Sequence, residues 1–307
     1  MKFGLLSPIV IRLPGAHAQW ESAAGVTELT QVARAADRLG YHHLTCSEHT
    51  GVPREVAAVR GGTYWDPLAT LSFLAGQTER IALATNVLVL AYHHPLSIVK
   101  SYGTLDRLSG GRVVLGVGVG TLQQEFDLLS APFDDRGPRA DDAIRAIRAG
   151  WATGVPSYHG THYDFDDFAV DPVAVQPRVP IWIGGRTGRS LRRAATLADG
   201  WMPFGLTLEQ ISAMVGALPA RQDPLEVVLQ PGALDPLGDP DRTRSAVDNA
   251  GAAGATIVNA RFVHRDLAHL LDQMHALAEL FPQAFTTADD PTEPSTMPAA
   301  PTRRRHD

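Results

Sequence analysis

The sequence predicts an α/β protein folded as a closed (β/α)8 barrel, and three observations carry that prediction. Short apolar runs alternate with amphipathic stretches about eight times along the chain. The runs are continuous rather than alternating, as strands are when helices cover the outside of a parallel sheet. The length of 307 residues, 44% hydrophobic and 20% charged, suits one barrel of ordinary composition without internal repeats.

Taken in order, "KFGLLSP" is the first strand, and "VTELTQVARAADRLGY" is a helix with apolar residues three and four apart. "HHLTCS" is the second strand. A long Gly-rich connection then leads to Asp66-Pro67, a cap followed by proline at the first helical position, and the helix "DPLATLSFLAGQT". "RIALATNVLVL" is the third strand, and "HPLSIVKSYGTLDRLSGG" a helix closed by Gly110 and Gly111. "RVVLGVGVG" and "GPRADDAIRAIRAGW" form the fourth unit. Residues 152–178 break the rhythm between helix four and strand five as an insertion whose "YHGTHYDFDDFAVDPVAVQP" alternates like a hairpin. "PIWIGG" and "GRSLRRAATLA" resume it, then "GWMPF" and "TLEQISAMVGAL", where Thr207 and Gln210 have capping-box spacing. "LEVVLQPG", "DPDRTRSAVDNAGAAG", "ATIVNARFV" and "DLAHLLDQMHALAELF" complete the barrel, 1–285. The tail, 286–307, is rich in Pro, Thr and charge, and is expected to be disordered.

Composition narrows the function. A net charge of −6 and a pI near 6.0 point away from nucleic acid and anionic membranes. No run approaches the roughly 20 apolar residues that span a bilayer. One cysteine, Cys46, excludes an internal disulfide and fits a reducing compartment, so a cytoplasmic protein is expected. Cys46 lies inside strand two and reads as a small buried hydrophobe.

Active sites of such barrels use the loops after the strands, which singles out "SEHT", "TNV", "GVGVGTLQQE" and "GGRTGR". His49, preceded by Glu48, can exchange a proton near neutrality. "GVGVGT" fails the dinucleotide fingerprint because its third glycine would fall on Thr121, yet Gly116, Gly118 and Gly120 allow close backbone approach to a flat ligand. His42-His43 and His93-His94 are poor chelates, since neighbours on a strand face opposite ways, and no metal is expected. The sequence holds neither G-x-S-x-G nor a phosphate-loop motif. In "VPIWIGGRTGRSLRRAA", Gly184, Gly185 and Gly188 let the backbone approach an anion at a helix start, with Arg186 and Arg189 beside it. Arg193 is expected to continue their face and Arg192 to point away.

These blocks, from "FGLLSP" through "ADRLGYHHLTCSEH" and "LSGGRVVLGVGVG" to "PIWIGGRTGRSLRRAATLADGW", resemble the luciferase-like monooxygenase superfamily, and within it the coenzyme F420-dependent oxidoreductases. The resemblance implies a TIM-like barrel with a flavin or deazaflavin at its mouth and the insertion covering it. It implies that Gly184, Gly185, Arg186, Thr187 and Gly188 bind the cofactor phosphate. Thr85, Asn86 and Val87 would lie behind the ring, with a cis Asn86–Val87 peptide, and Gly118, Gly120 and Thr121 would line the same mouth. His49, with Glu48, would be catalytic. One departure is plain: deazaflavin sugar dehydrogenases carry a glutamate where this chain has Thr121, and Gln124 and Glu125 are not that position, so sugar-phosphate chemistry is not implied. Three readings stay open. One is hydride transfer between coenzyme F420 and a small organic substrate. Another is an FMN-dependent monooxygenase using O2 and a reductase partner. The third is a flavin-binding protein without turnover. The resemblance also implies a homodimer.

Overall fold

The computed structural model describes residues 1–220 and 222–285; the expected disordered tail, 286–307, lies outside the described residues. Eight parallel strands form the barrel: β1 Lys2–Leu5, β2 His43–Cys46, β3 Ala82–Thr85, β4 Val113–Gly118, β5 Ile181–Gly184, β6 Gly200–Met202, β7 Glu226–Leu229 and β8 Ile257–Phe262. Each pairs with the next, and β1 closes on β8 in the register Lys2↔Ile257 to Leu5↔Ala260. The eight covering helices are α1 Val26–Leu39, α2 Pro67–Ala75, α3 Pro95–Leu108, α4 Arg136–Ala152, α5 Gly188–Leu197, α6 Leu208–Gly216, α7 Pro240–Ala252 and α8 Leu267–Leu280. Every expected strand–helix unit is present, and the local signals act as read. Asp66 accepts the Ala69 amide ahead of α2, Thr207 and Gln210 form their capping box, and Gly40 ends α1 at φ 86°.

Two connections differ from expectation. The insertion does contain a hairpin, Tyr158–His159 against Asp164–Phe165, but it is tied to the outer helices. Buried Asp142 of α4 accepts from Tyr158 Oη and from the amides of His162 and Tyr163. Asp106 of α3 accepts from the amides of Val175 and Gln176. No residue of 152–178 lines the cavity at the barrel mouth. The loops after β1 and β2 cover part of that mouth instead, through an antiparallel pair, Ile11–Arg12 with Thr63–Tyr64. The second of those loops also carries a helix, Arg54–Arg60, in which no residue is buried; without an apolar stripe, periodicity has nothing to report.

The barrel is filled by Ala84, Val114, Trp182, Met202, Val228 and Ile257, and its floor is polar. The His43 ring occupies the space where Gly4 has no side chain; a Cβ there would stand 2.0 Å from its Cε1. His42 Nδ1 meets His43 Nδ1 at 3.0 Å, and Trp182 Nε1 donates to Glu226, which also pairs with Lys2. Burial, reinforced by Lys2, pulls His42 down to about 4, and burial with the neighbouring His42 and Lys2 holds His43 well below its ordinary value. Both rings are neutral in the fold and take up protons on unfolding. The unfolded chain therefore binds more protons below the ordinary histidine pKa of about 6.5, and stability falls with pH from there toward 4. The urea midpoint should drop across that window, and His42→Gln should flatten the drop.

Candidate active site

The ends of β2, β3, β4 and β5 build one wall of the mouth. β3 runs into Asn86–Val87, whose peptide is cis. This bulge is held by the segment after β2: Ser47 Oγ donates to Asn86 O at 2.7 Å, and the Glu48 amide donates to Val87 O. The Glu48 carboxylate turns the same way, accepting from the Val89 amide at 2.6 Å and meeting His93 Nε2 at 2.6 Å. Glu48 thus braces the bulge rather than facing the cavity.

Val87 accounts for two of the glycines. A Cβ on Gly118 would stand 2.7 Å from Val87 Cγ2, and one on Gly184 would stand 2.7 Å from Val87 Cγ1. At Gly120, φ 77°, the same space holds the Phe126 ring. These glycines make room for the chain's own side chains, which glycine spacing alone cannot reveal. Thr85 is fully buried with its hydroxyl on Gly116 O, behind the wall rather than on it. Thr121 is exposed and lies off the cavity.

His49 has a partner that sequence spacing did not reveal. Its Nδ1 is 2.7 Å from Oε2 of Glu125, whose carboxylate is fully buried. The same carboxylate accepts from Tyr92 Oη at 2.9 Å and from the amides of Thr50 and Gly51 at 2.6 and 3.1 Å. Burial raises the Glu125 pKa, but the hydrogen bonds from His49, Gly51 and Tyr92 outweigh it and leave the carboxyl below its ordinary value. An ionised carboxylate only accepts, so His49 Nδ1 carries the proton and Nε2 is the nitrogen left for exchange. Tyr64, from the loop over the mouth, packs edge-on against the imidazole at 4.4 Å. Cys46 is no competing nucleophile, because burial pushes its thiol up to about 12.

At the end of β5, Gly185 adopts φ 151° beside Ser190, and Thr187 caps α5 in a reciprocal box with Ser190. The box satisfies the Thr187 and Ser190 amides. Those of Gly188 and Arg189, in the first helical turn, point out from the helix end. Arg186 and Arg189 are exposed there. The expectation for the next two arginines is reversed. Arg193 pairs with Asp141 and Gly137 O of α4, whereas the Arg192 guanidinium lies over Gly188, 3.7 Å from where its Cβ would be. The helix begins at Gly188, so counting a face from Arg186 started outside it, and helical side chains lean toward the N-terminus.

Beside this wall lies a cavity of about 410 Å³, lined by Ser47, Asn86, Val87, Gly184 and Met202 on one side and by Leu5, Asn259 and Arg261 on the other. His49 stands two residues beyond Ser47, its side chain one-quarter exposed. Among the described residues no group of three His, Cys, Asp or Glu side chains is placed to hold a metal, and no helix is long and apolar enough to cross a membrane.

Comparison with known proteins agrees with this architecture. The chain is 32% identical over 181 residues to an F420-dependent glucose-6-phosphate dehydrogenase of Microbacterium testaceum, covering 58% of this chain and 52% of that one. It is 30% identical over 208 residues to an uncharacterized protein of Mycobacterium tuberculosis, covering 64% of this chain and 71% of the relative. Among solved structures, the monooxygenase RslO1 from Streptomyces bottropensis shares the fold with a TM-score of 0.75 at 23% identity, over 93% of this chain and all of that one. The coenzyme F420-dependent tetrahydromethanopterin reductase from Methanopyrus kandleri does so at 0.70 and 15% identity, over 93% and 99%. The family model for luciferase-like monooxygenases matches residues 1–225, and the chain belongs to that family of oxidoreductases.

Proposed function

We propose that the protein is a coenzyme F420-dependent oxidoreductase acting on a small organic substrate at the barrel mouth. The observation that carries this reading is the His49–Glu125 pair, an imidazole held at Nδ1 by a buried carboxylate, two residues along the chain from Ser47 in the lining of a cavity walled by the Val87 bulge. The residues present fit such a cofactor. The outward amides of Gly188 and Arg189, with the Arg186 and Arg192 side chains, suit a phosphate followed by a further acidic tail. Val87 offers an apolar rest for a flat ring. When bound, the deazaflavin supplies the hydride chemistry.

The chain's residues then divide the remaining tasks. His49 holds or delivers a proton from Nε2, Glu125 and Tyr92 fix its ring, and Glu48 with His93 keeps the bulge in place. Glu48 is therefore proposed as a positioning residue for the site. Equilibrium binding of coenzyme F420 and of FMN to the purified protein tests the reading. F420 should bind more tightly. Replacing Arg186 and Arg189 together by alanine should weaken it about tenfold or more, the loss expected for charge-assisted contacts, and added salt should narrow the difference. Preference for FMN would move the assignment to an oxygen-using monooxygenase, with oxygen consumption as the readout. Binding of neither would overturn it.

A further inference from the structure

The wall facing Val87 has its own chemistry. In the closed barrel β8 lies across from β4, whose Gly118 packs under Val87. Side chains two apart on a strand share a face. Ile257 belongs to the barrel filling, and above it Asn259 and then Arg261 line the cavity. Asn259 is 4% exposed, and its Oδ1 has no hydrogen-bond partner. Arg261 donates from Nη1 to Ala16 O at 2.9 Å, while its buried Nε has no partner. Among the described residues it has no carboxylate within ion-pair distance.

Buried polar atoms are normally paired, and a guanidinium beside an apolar cavity normally finds an anion. The neighbouring Glu21 does not fill that role. Its carboxylate already accepts from the Ile9 and Ala18 amides, each at 2.8 Å, and lies 3.5 Å from His264 Nε2. His264 itself accepts from Trp20 Nε1, and burial holds its pKa below the ordinary value. His17, the other imidazole on this wall, is anchored through Nδ1 to Leu13 O. Arg261 and Asn259 are therefore the cavity-lining groups whose buried polar atoms lack partners, a planar cation and an amide able to donate and to accept. Around them the wall is mostly apolar, with Leu5, Leu13 and Phe262, together with Ser7, whose hydroxyl already accepts from the Thr45 amide, and the exposed Gln230.

We propose that Arg261 and Asn259 form a substrate subsite for the carboxylate of a small organic acid, with an O–H or N–H donor beside that carboxylate meeting Asn259 Oδ1. The proposal rests on the oxidoreductase reading above and names its substrate class: an apolar body carrying a carboxylate and an adjacent hydroxyl or amine. Arg261 holds the acid head by its fork, and the Val87 wall faces the other side of the molecule.

Calorimetric titration of the full chain with 2-hydroxyhexanoate, hexanoate and hexanamide tests this, first alone and then saturated with coenzyme F420 or FMN. Both acids should bind, with hexanamide about tenfold weaker or worse, the loss expected for a charge-assisted hydrogen bond. Arg261→Met should abolish the preference for the acids, and Arg261→Lys, which keeps the charge, should retain part of it. Asn259→Leu should remove the advantage of the hydroxy acid over hexanoate. Equal binding of amide and acid, failure of the acids to bind, or unchanged acid binding in a folded Arg261→Met variant would overturn the subsite. If the acids bind but neither cofactor does, the subsite stands and the oxidoreductase reading falls. If a cofactor binds and the acids do not, only the subsite falls.

Discussion

Replacing Glu125 by glutamine should lower turnover about a hundredfold or more, the low end of what a correctly presented general acid–base contributes. The side chain accepts four hydrogen bonds, from His49, Tyr92 and the amides of Thr50 and Gly51. Glutamine is nearly isosteric, but one of its two terminal atoms is a donor. One pair of those four donors must then face an N–H, and a buried donor without an acceptor costs about 1–3 kcal/mol. The amide group either turns away from the Thr50–Gly51 loop or releases the imidazole. In both cases His49 loses the fixed Nδ1–H and its defined orientation. His49→Ala should cost a similar factor, and the double variant should be no worse than either single one, because the two side chains act as a unit. Turnover alone would not separate positioning from general damage. Imidazole nitrogen NMR of the free protein does: the slowly exchanging Nδ1–H of His49 should be present in the wild type, absent in Glu125→Gln and Glu125→Ala, and partly restored in Glu125→Asp. A Glu125→Gln variant that keeps both that proton and full turnover would show that His49 is held by something else.

The barrel was legible because its signals are local. Each strand is a buried run between a cap and a turn, and caps such as Asp66 and Thr207 act within three residues of themselves. At the candidate site, single positions carried the signal: the resemblance implied the cis Asn86–Val87 peptide, which is present, and the position after strand two pointed to His49, proposed above to handle the proton. The His49–Glu125 link joins residues 76 apart. Glu125 sits in the short helix Gln123–Leu128, whose existence the loop sequence did not announce. The glycines illustrate the limit differently. Sequence records that a side chain is missing, but whether a ligand, Val87 or His43 fills the space depends on a strand folded elsewhere. Asn259 and Arg261 escaped notice for a similar reason: inside "ATIVNARFV" they look like polar breaks in a strand, and only closure of β8 onto β1 turns them inward over the cavity.

Gly116→Ala should be among the most damaging single methyl additions in the chain. A Cβ at Gly116 would stand 2.0 Å from Thr85 O and 2.7 Å from Met202 Cε. The methionine tip can swing away, but the carbonyl cannot, because it belongs to β3, whose partner in the barrel is β4 itself. Relief requires the two strands to part near their upper ends, where Thr85 Oγ1 also donates to Gly116 O at 2.7 Å. The expected loss is about 3 kcal/mol, the upper part of the usual range for overpacking a tight interior, read as a lower urea midpoint. Gly216→Ala is the matched control. That position ends α6 with nothing within 4 Å of a new Cβ, so alanine there should be neutral or stabilising by about 0.5 kcal/mol. The damage should also reach the site, since Thr85 leads directly into the Asn86–Val87 bulge. Any folded Gly116→Ala protein should therefore bind cofactor more weakly than wild type, while Gly216→Ala binds normally. An unchanged midpoint for Gly116→Ala would mean that β3 and β4 separate without cost, and the close-packed wall behind Val87 would not be what holds the bulge in place.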